Sequence, residues 1–138
     1  MSGNTDIEDP TACFYASIEM IPAPKGRPRM TKTGHTYTPQ QTRNAEAFIK
    51  YQLLSHYHGE IQTGPIYLKL HFYLKRAKQD KRKYATRRPD LDNLAKLVMD
   101  AGNGILWRDD AQIVCQEFSK SYASSEGSPG IEITVETL

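Results

Sequence analysis

Two short stretches hold most of the residues able to do chemistry: Arg87-Arg88-Pro89-Asp90-Leu91-Asp92-Asn93-Leu94-Ala95-Lys96, and Trp107-Arg108-Asp109-Asp110-Ala111-Gln112. Pro89 biases Arg88 toward extended geometry. If residues 90–92 stay extended until a helix begins, Asp90 and Asp92 project to one side, because side chains alternate along an extended chain. Two carboxylates so placed, flanked by arginines, make the hard-oxygen donor set that Mg²⁺ or Mn²⁺ prefers. A third carboxylate must arrive from a later segment, and either Asp109 or Asp110 can supply it. A cation held there would polarise a phosphoryl oxygen and lower the pKa of a bound water, and a second ion could stabilise a leaving 3′ oxygen. Lys96, four residues after Asp92, shares its helical face and could neutralise charge on a phosphate in the transition state or donate a proton. The competing reading is structural: Asp92 as a helix cap, or as half of an ordinary helix ion pair contributing about 0.2–0.5 kcal/mol. A D-x-D pair alone does not separate the two.

Positioning these groups requires elements on both sides. Residues 12–20 alternate, with Phe14, Ala16, Ile18 and Met20 on one face of a strand. Pro22, Pro24, Gly26 and Pro28 then forbid regular structure in a loop that carries Lys25, Arg27, Arg29 and Lys32 without an acid. A helix is expected from about Pro39 to His56, with Ala45, Phe48, Ile49 and Leu53 along its apolar face. Residues 65–75 give a strand with Ile66, Leu68, Leu70, Phe72 and Leu74 inward and Tyr67, Lys69, His71 and Tyr73 outward. A second helix starts near Asp92, packs Leu94, Leu97, Val98 and Ala101, and is capped at Gly102-Asn103-Gly104. Strands over residues 112–122 and 130–136 complete the chain. The expected fold is α+β: a single domain over residues 11–138, with a mixed β-sheet and two helices packed on one face, in β-α-β-α-β-β order. Residues 1–10, polar and acidic, are expected to form a tail and do not resemble a signal peptide.

The net charge of +2 hides a separation. Residues 75–88 hold eight Lys or Arg, Lys81, Arg82, Arg87 and Arg88 among them, against Asp80 alone. Residues 89–138 hold nine Asp or Glu against Lys96, Arg108 and Lys120. A basic block beside an acidic half points to a polyanion-binding rim next to a site that needs carboxylates; the plainer reading of the block is a solvated loop. Cys13 and Cys115 are too few for a disulfide framework and are expected to be reduced and buried. His35, His56, His58 and His71 offer no ligand set, and no Ser or Cys has a companion base nearby in sequence. No apolar run approaches the ~20 residues of a membrane span, so a cytoplasmic protein is expected.

The string Asp90-Leu91-Asp92-Asn93-Leu94, Lys96, Asp100, then Trp107 with Asp109-Asp110-Ala111-Gln112, resembles the RusA-like Holliday-junction resolvases. The resemblance implies a bacterial or phage-encoded homodimer that binds four-way DNA junctions, a branched DNA, and nicks two strands symmetrically with Mg²⁺ or Mn²⁺. It implies metal binding by Asp90, Asp92 and Asp110, with Lys96 as the essential lysine and Asp109 as a neighbour. Some members carry a basic residue directly before the first aspartate, where this chain has Pro89. Lys25, Arg27, Arg29, Lys32, Lys81, Arg82, Arg87 and Arg88 are the expected phosphate contacts. Two other activities would use the same surface: cleavage of flaps or forks, and DNA binding without catalysis.

Overall fold

The computed structural model describes residues 13–26 and 28–138. The expected tail lies outside them, as do residues 11 and 12 and Arg27. In chain order the elements are β1 (Cys13–Glu19), β2 (Arg29–Met30), β3 (Thr36–Tyr37), α1 (Gln40–His56), β4 (Ile66–Leu74), α2 (Leu91–Gly102), a 3₁₀ turn (Asp110–Gln112), β5 (Ile113–Tyr122) and β6 (Gly130–Thr137). The long elements follow the expected order. The β2–β3 pair, inside the proline-rich stretch, was not foreseen; its two paired positions, Arg29 with Tyr37 and Met30 with Thr36, are too short to show a period.

Four strands form one sheet in the order β1-β6-β4-β5. β6 runs antiparallel to both β1 and β4, whereas β4 and β5 are parallel, so the sheet is mixed. Parallel neighbours need a long crossover, and here the crossover contains the basic loop, α2 and the 3₁₀ turn. That connection sets the site's geography. The basic loop leaves from the end of β4 that lies beside Tyr122, and the acidic turn enters β5 beside Ile66.

The alternation in β4 is realised fully: Ile66, Leu68, Leu70 and Phe72 are solvent-inaccessible and Leu74 nearly so. They meet Ile131, Ile133 and Val135 of β6, Ile18 of β1, Ile49 and Leu53 of α1, and Leu94, Leu97, Val98 and Ala101 of α2 in one continuous core. Each such aliphatic contributes about 1.5–3 kcal/mol by leaving water. Both helices therefore cover one face of the sheet.

The opposite face has a polar layer of its own. Tyr15 and Tyr73 donate to Glu132, Tyr67 donates to Glu117, and His71 lies between the hydroxyls of Ser119 and Ser121. Phe118 points the other way and packs half-buried against the core. Two expectations need correction. Cys13 and Cys115 are exposed, because each occupies an edge strand at a position facing away from the helices; neither is in a disulfide. Phe48 is 40 % exposed, since Ile49, Leu53 and Thr42 fill the contact face of α1 instead.

Candidate active site

Asp90 is the N-cap residue of α2, with φ −71° and ψ 143°, and its carboxylate makes no cap hydrogen bond. Asp92 is already in the first helical turn, where its Oδ1 accepts from the N–H of Asn93 at 2.9 Å. The expected extended run over residues 90–92 is thus replaced by helix from Leu91 onward, one residue before the expected start near Asp92, with Leu94, Leu97 and Val98 of the same helix buried. Asp90 and Asp92 therefore do not share a side by strand alternation. Asp90 lines an open groove with Arg88, Pro89, Asn93, Lys25, Pro22 and Pro24. Asp92, Lys96 and Asp100 follow one another at intervals of four along α2, hence on one helical stripe.

Lys96 joins the two motif halves. Its Nζ is 3.3 Å from Asp100 and 3.7 Å from Asp110, the first residue of the 3₁₀ turn. Local chemistry separates the two candidate third carboxylates. Asp109 caps the turn: its Oδ1 accepts from the N–H of Ala111 at 3.0 Å, while Gln112 Oε1 accepts from the N–H groups of Arg108 and Asp109 at 2.8 and 2.9 Å. This reciprocal capping box engages Asp109 in fixing the turn. Asp110 points instead toward Lys96.

Trp107 holds this turn against the core. The indole is solvent-inaccessible, and its Nε1 donates to Asn103 Oδ1 at 2.9 Å. Gly102 permits the approach, since a Cβ there would sit 2.5 Å from Trp107 Cζ2. Asp100 also has a larger part than a helix-face residue: it bridges Lys96 and Lys25, whose Nζ is 3.0 Å from Asp100 and 3.3 Å from Glu46. Burial opposes the charge on Lys25, but Asp100 and Glu46 outweigh it and raise its pKa. A main-chain bond from Lys25 N–H to the Asn93 carbonyl, 2.9 Å, fastens the first basic loop to α2 beside Asp90.

The remaining expected phosphate contacts among the described residues are solvent-facing. Arg29 and Lys32 lie in the β2–β3 hairpin, and Lys81, Arg82, Arg87 and Arg88 in the loop before α2. Arg82 shares that loop with Asp80, 3.6 Å away. Lys120, unassigned from the sequence, reaches from β5 to the carbonyls of Arg87 and Pro89. Its only sequence signal is to be one of few bases in an acidic half.

Among the described residues, no three His, Cys, Asp or Glu side chains are gathered as a ready-made metal cage. The donor chemistry of Asp90, Asp92 and Asp110 nevertheless fits a hard divalent cation: all three are accessible carboxylates, and among the described residues the one ion pair they make is that of Asp110 with Lys96.

A family described as Endodeoxyribonuclease RusA matches residues 19–136. The chain belongs to the RusA endodeoxyribonuclease family. The match spans both basic loops, both helices, the acidic turn and the strands β4 to β6, so the family's domain covers most of this RusA-family chain. It is also similar to the protein YqaN of Bacillus subtilis (strain 168), described as uncharacterized, with 27% identity over an alignment 138 positions long that covers 89% of this chain and 95% of the relative. No helix among the described residues is long and apolar enough to cross a membrane.

Proposed function

We propose that this RusA-family endonuclease is a Holliday-junction resolvase, a homodimer that places paired, symmetric nicks in four-way DNA junctions during recombination and repair. The observation that carries the reading is the 3.7 Å approach of Lys96 to Asp110, which draws the two halves of the motif together beside a groove lined by Asp90 and Arg88. Asp90, Asp92 and Asp110 would hold a Mg²⁺ or Mn²⁺ ion, whose contribution is Lewis-acid polarisation of the scissile phosphoryl group. Arg88 sits on the groove wall beside Asp90, so it can hold a phosphate in place while the carboxylates define where cleavage occurs. Lys96 faces Asp110 with an ammonium that would offset charge building on the phosphate in the transition state. One protomer would supply one such set of ligands, so paired nicks related by symmetry call for two copies about a two-fold axis.

The test compares wild type with Asp90→Asn on labelled four-way junctions, flaps, forks and plain duplex, with and without Mg²⁺. The expected result is paired nicks on the junction only, in wild type with Mg²⁺, and junction binding by Asp90→Asn equal to wild type without cutting. Undiminished cutting by Asp90→Asn would remove the metal-site reading. Loss of binding together with cutting would make Asp90 a folding residue. Cleavage confined to flaps or forks would reassign the substrate.

A further inference from the structure

A lysine that the catalytic proposal does not use, Lys120, holds the chain directly in front of Asp90. Lys120 lies opposite Phe72 in the β4–β5 register, on the side of the sheet that the helices cover. Its Nζ donates to the carbonyl of Arg87 at 3.0 Å and to that of Pro89 at 2.8 Å. Two of its three N–H donors are thus committed to main chain on either side of Arg88. Hydrogen bonds from a charged donor are roughly twice as strong as neutral ones. Among the described residues Lys120 makes no ion pair, so these carbonyls are its principal partners.

Asp90 needs support from the main chain for a specific reason. Its carboxylate makes no bond to its own helix, so the side chain is located by the main chain on either side. On the helix side, the buried Leu94, Leu97 and Val98 fix α2. On the loop side, the residues before Asp90 are exposed or half-exposed, and Arg88 and Pro89 border the open groove. We propose that Lys120 is a positioning residue of the active site, clamping the Arg87–Pro89 main chain so that Asp90 and Arg88 are presented together to the cation and the scissile phosphate. The proposal rests on the metal-site reading of Asp90.

The experiment measures Mn²⁺ binding to the DNA-free protein by calorimetry, then kcat and KM for junction cleavage, for wild type, Lys120→Met, Lys120→Arg and Asp90→Asn. Lys120→Met is expected to weaken Mn²⁺ binding and lower kcat by about 10–100-fold, the usual cost of removing a group that orients a metal ligand. KM should stay within about threefold, because the solvent-facing arginines remain. Lys120→Arg, which keeps charged donors, should recover most of both losses. A purely structural brace would lower the melting temperature yet leave the Mn²⁺ affinity of the folded protein unchanged, and that result would overturn the proposal. If Lys120→Met does not fold, Lys120→Gln carries the same comparison. Asp90→Asn separates the metal site from the clamp. If it neither binds Mn²⁺ nor cuts while Lys120→Met does both normally, the metal site stands and the clamp falls. If Asp90→Asn binds Mn²⁺ and cuts as wild type does, the metal-site reading falls and the positioning role goes with it.

Discussion

The two basic loops look alike in composition and differ in what holds them. In the loop between β1 and α1, the inward-turned residue is a cation: Lys25 inserts between Glu46 of α1 and Asp100 of α2. In the loop between β4 and α2, an acid is turned inward, with cations arranged around it. Tyr122 donates to Asp80, Arg76 lies 4.2 Å over the Tyr122 ring, and Arg76 also donates to the carbonyls of Asp80 and Arg82 at 3.0 and 2.7 Å. Lys120 then holds the far end of the same loop. The lesson is that the charge count of a loop overstates its capacity for phosphate. Lys25, Arg76 and Lys120 brace the fold, whereas Arg29 and Lys32 of the first loop and Lys75, Lys78, Lys81, Arg82, Lys83, Arg87 and Arg88 of the second face solvent.

The largest expected effect tests that division on the better-braced loop. Replacing Arg87 and Arg88 together with alanine should weaken junction binding about a hundredfold, since hydrogen bonds to charged groups contribute ~1.5–3 kcal/mol each. The slope of log affinity against log salt should become shallower by about 1.8, or ~0.9 for each phosphate that is no longer neutralised. Measured by titration between low and moderate salt, an unchanged slope would remove both arginines from the phosphate surface.

The sequence made some of this visible and hid the rest for physical reasons. β4 was legible because its face alternates over nine residues, and α2 because Leu94, Leu97, Val98 and Ala101 repeat at helical spacing. The donor types of the site were legible because carboxylates beside arginines are chemically distinctive. Spacing could not choose between Asp109 and Asp110; the resemblance favoured Asp110, and what the sequence did not reveal is that Asp109 is engaged in a capping box. The start of α2 was legible to within one residue, but that residue puts Asp92 inside the helix, so the extended run over residues 90–92 does not form. Lys120, Asp80 and Asp100 were missed as organising residues because their partners lie 31, 42 and 75 residues away in sequence, or are main-chain atoms with no signature of their own.

Asp80 offers a test in which charge and organisation predict opposite signs. Asp80→Asn makes the loop more positive, so electrostatics alone predicts tighter binding. If Asp80 orders the loop, affinity should instead fall about three- to fivefold, the order expected for loss of one hydrogen-bonded brace. Tyr122, and secondarily the N–H of Arg82, hold the Asp80 carboxyl below the ordinary carboxylate range. A depressed folded pKa means its stabilisation is fully present above the ordinary value and is lost as pH falls through the depressed one. Melting curves of wild type and Asp80→Asn should therefore differ at neutral pH and converge only in acid. Tighter binding by the variant would make the loop a simple charged rim.

The smallest expected effect belongs to Lys25, and it decides whether the first loop is braced or binding. Its two ion pairs are partly exposed, so their removal in Lys25→Met should cost about 1 kcal/mol or less in thermal stability. Because Lys25 already faces two carboxylates, the salt slope of junction binding should not change. Cleavage should still fall slightly. Lys96 stands between Asp100 and Asp110, at 3.3 and 3.7 Å, and Asp100 divides its attraction between Lys25 and Lys96. Without Lys25, Asp100 holds Lys96 more strongly and draws it from Asp110, which predicts roughly a two- to threefold lower kcat at these well-solvated separations. A salt slope shallower by about one unit would show instead that Lys25 contacts phosphate, and the two loops would then differ in their supports without differing in their use.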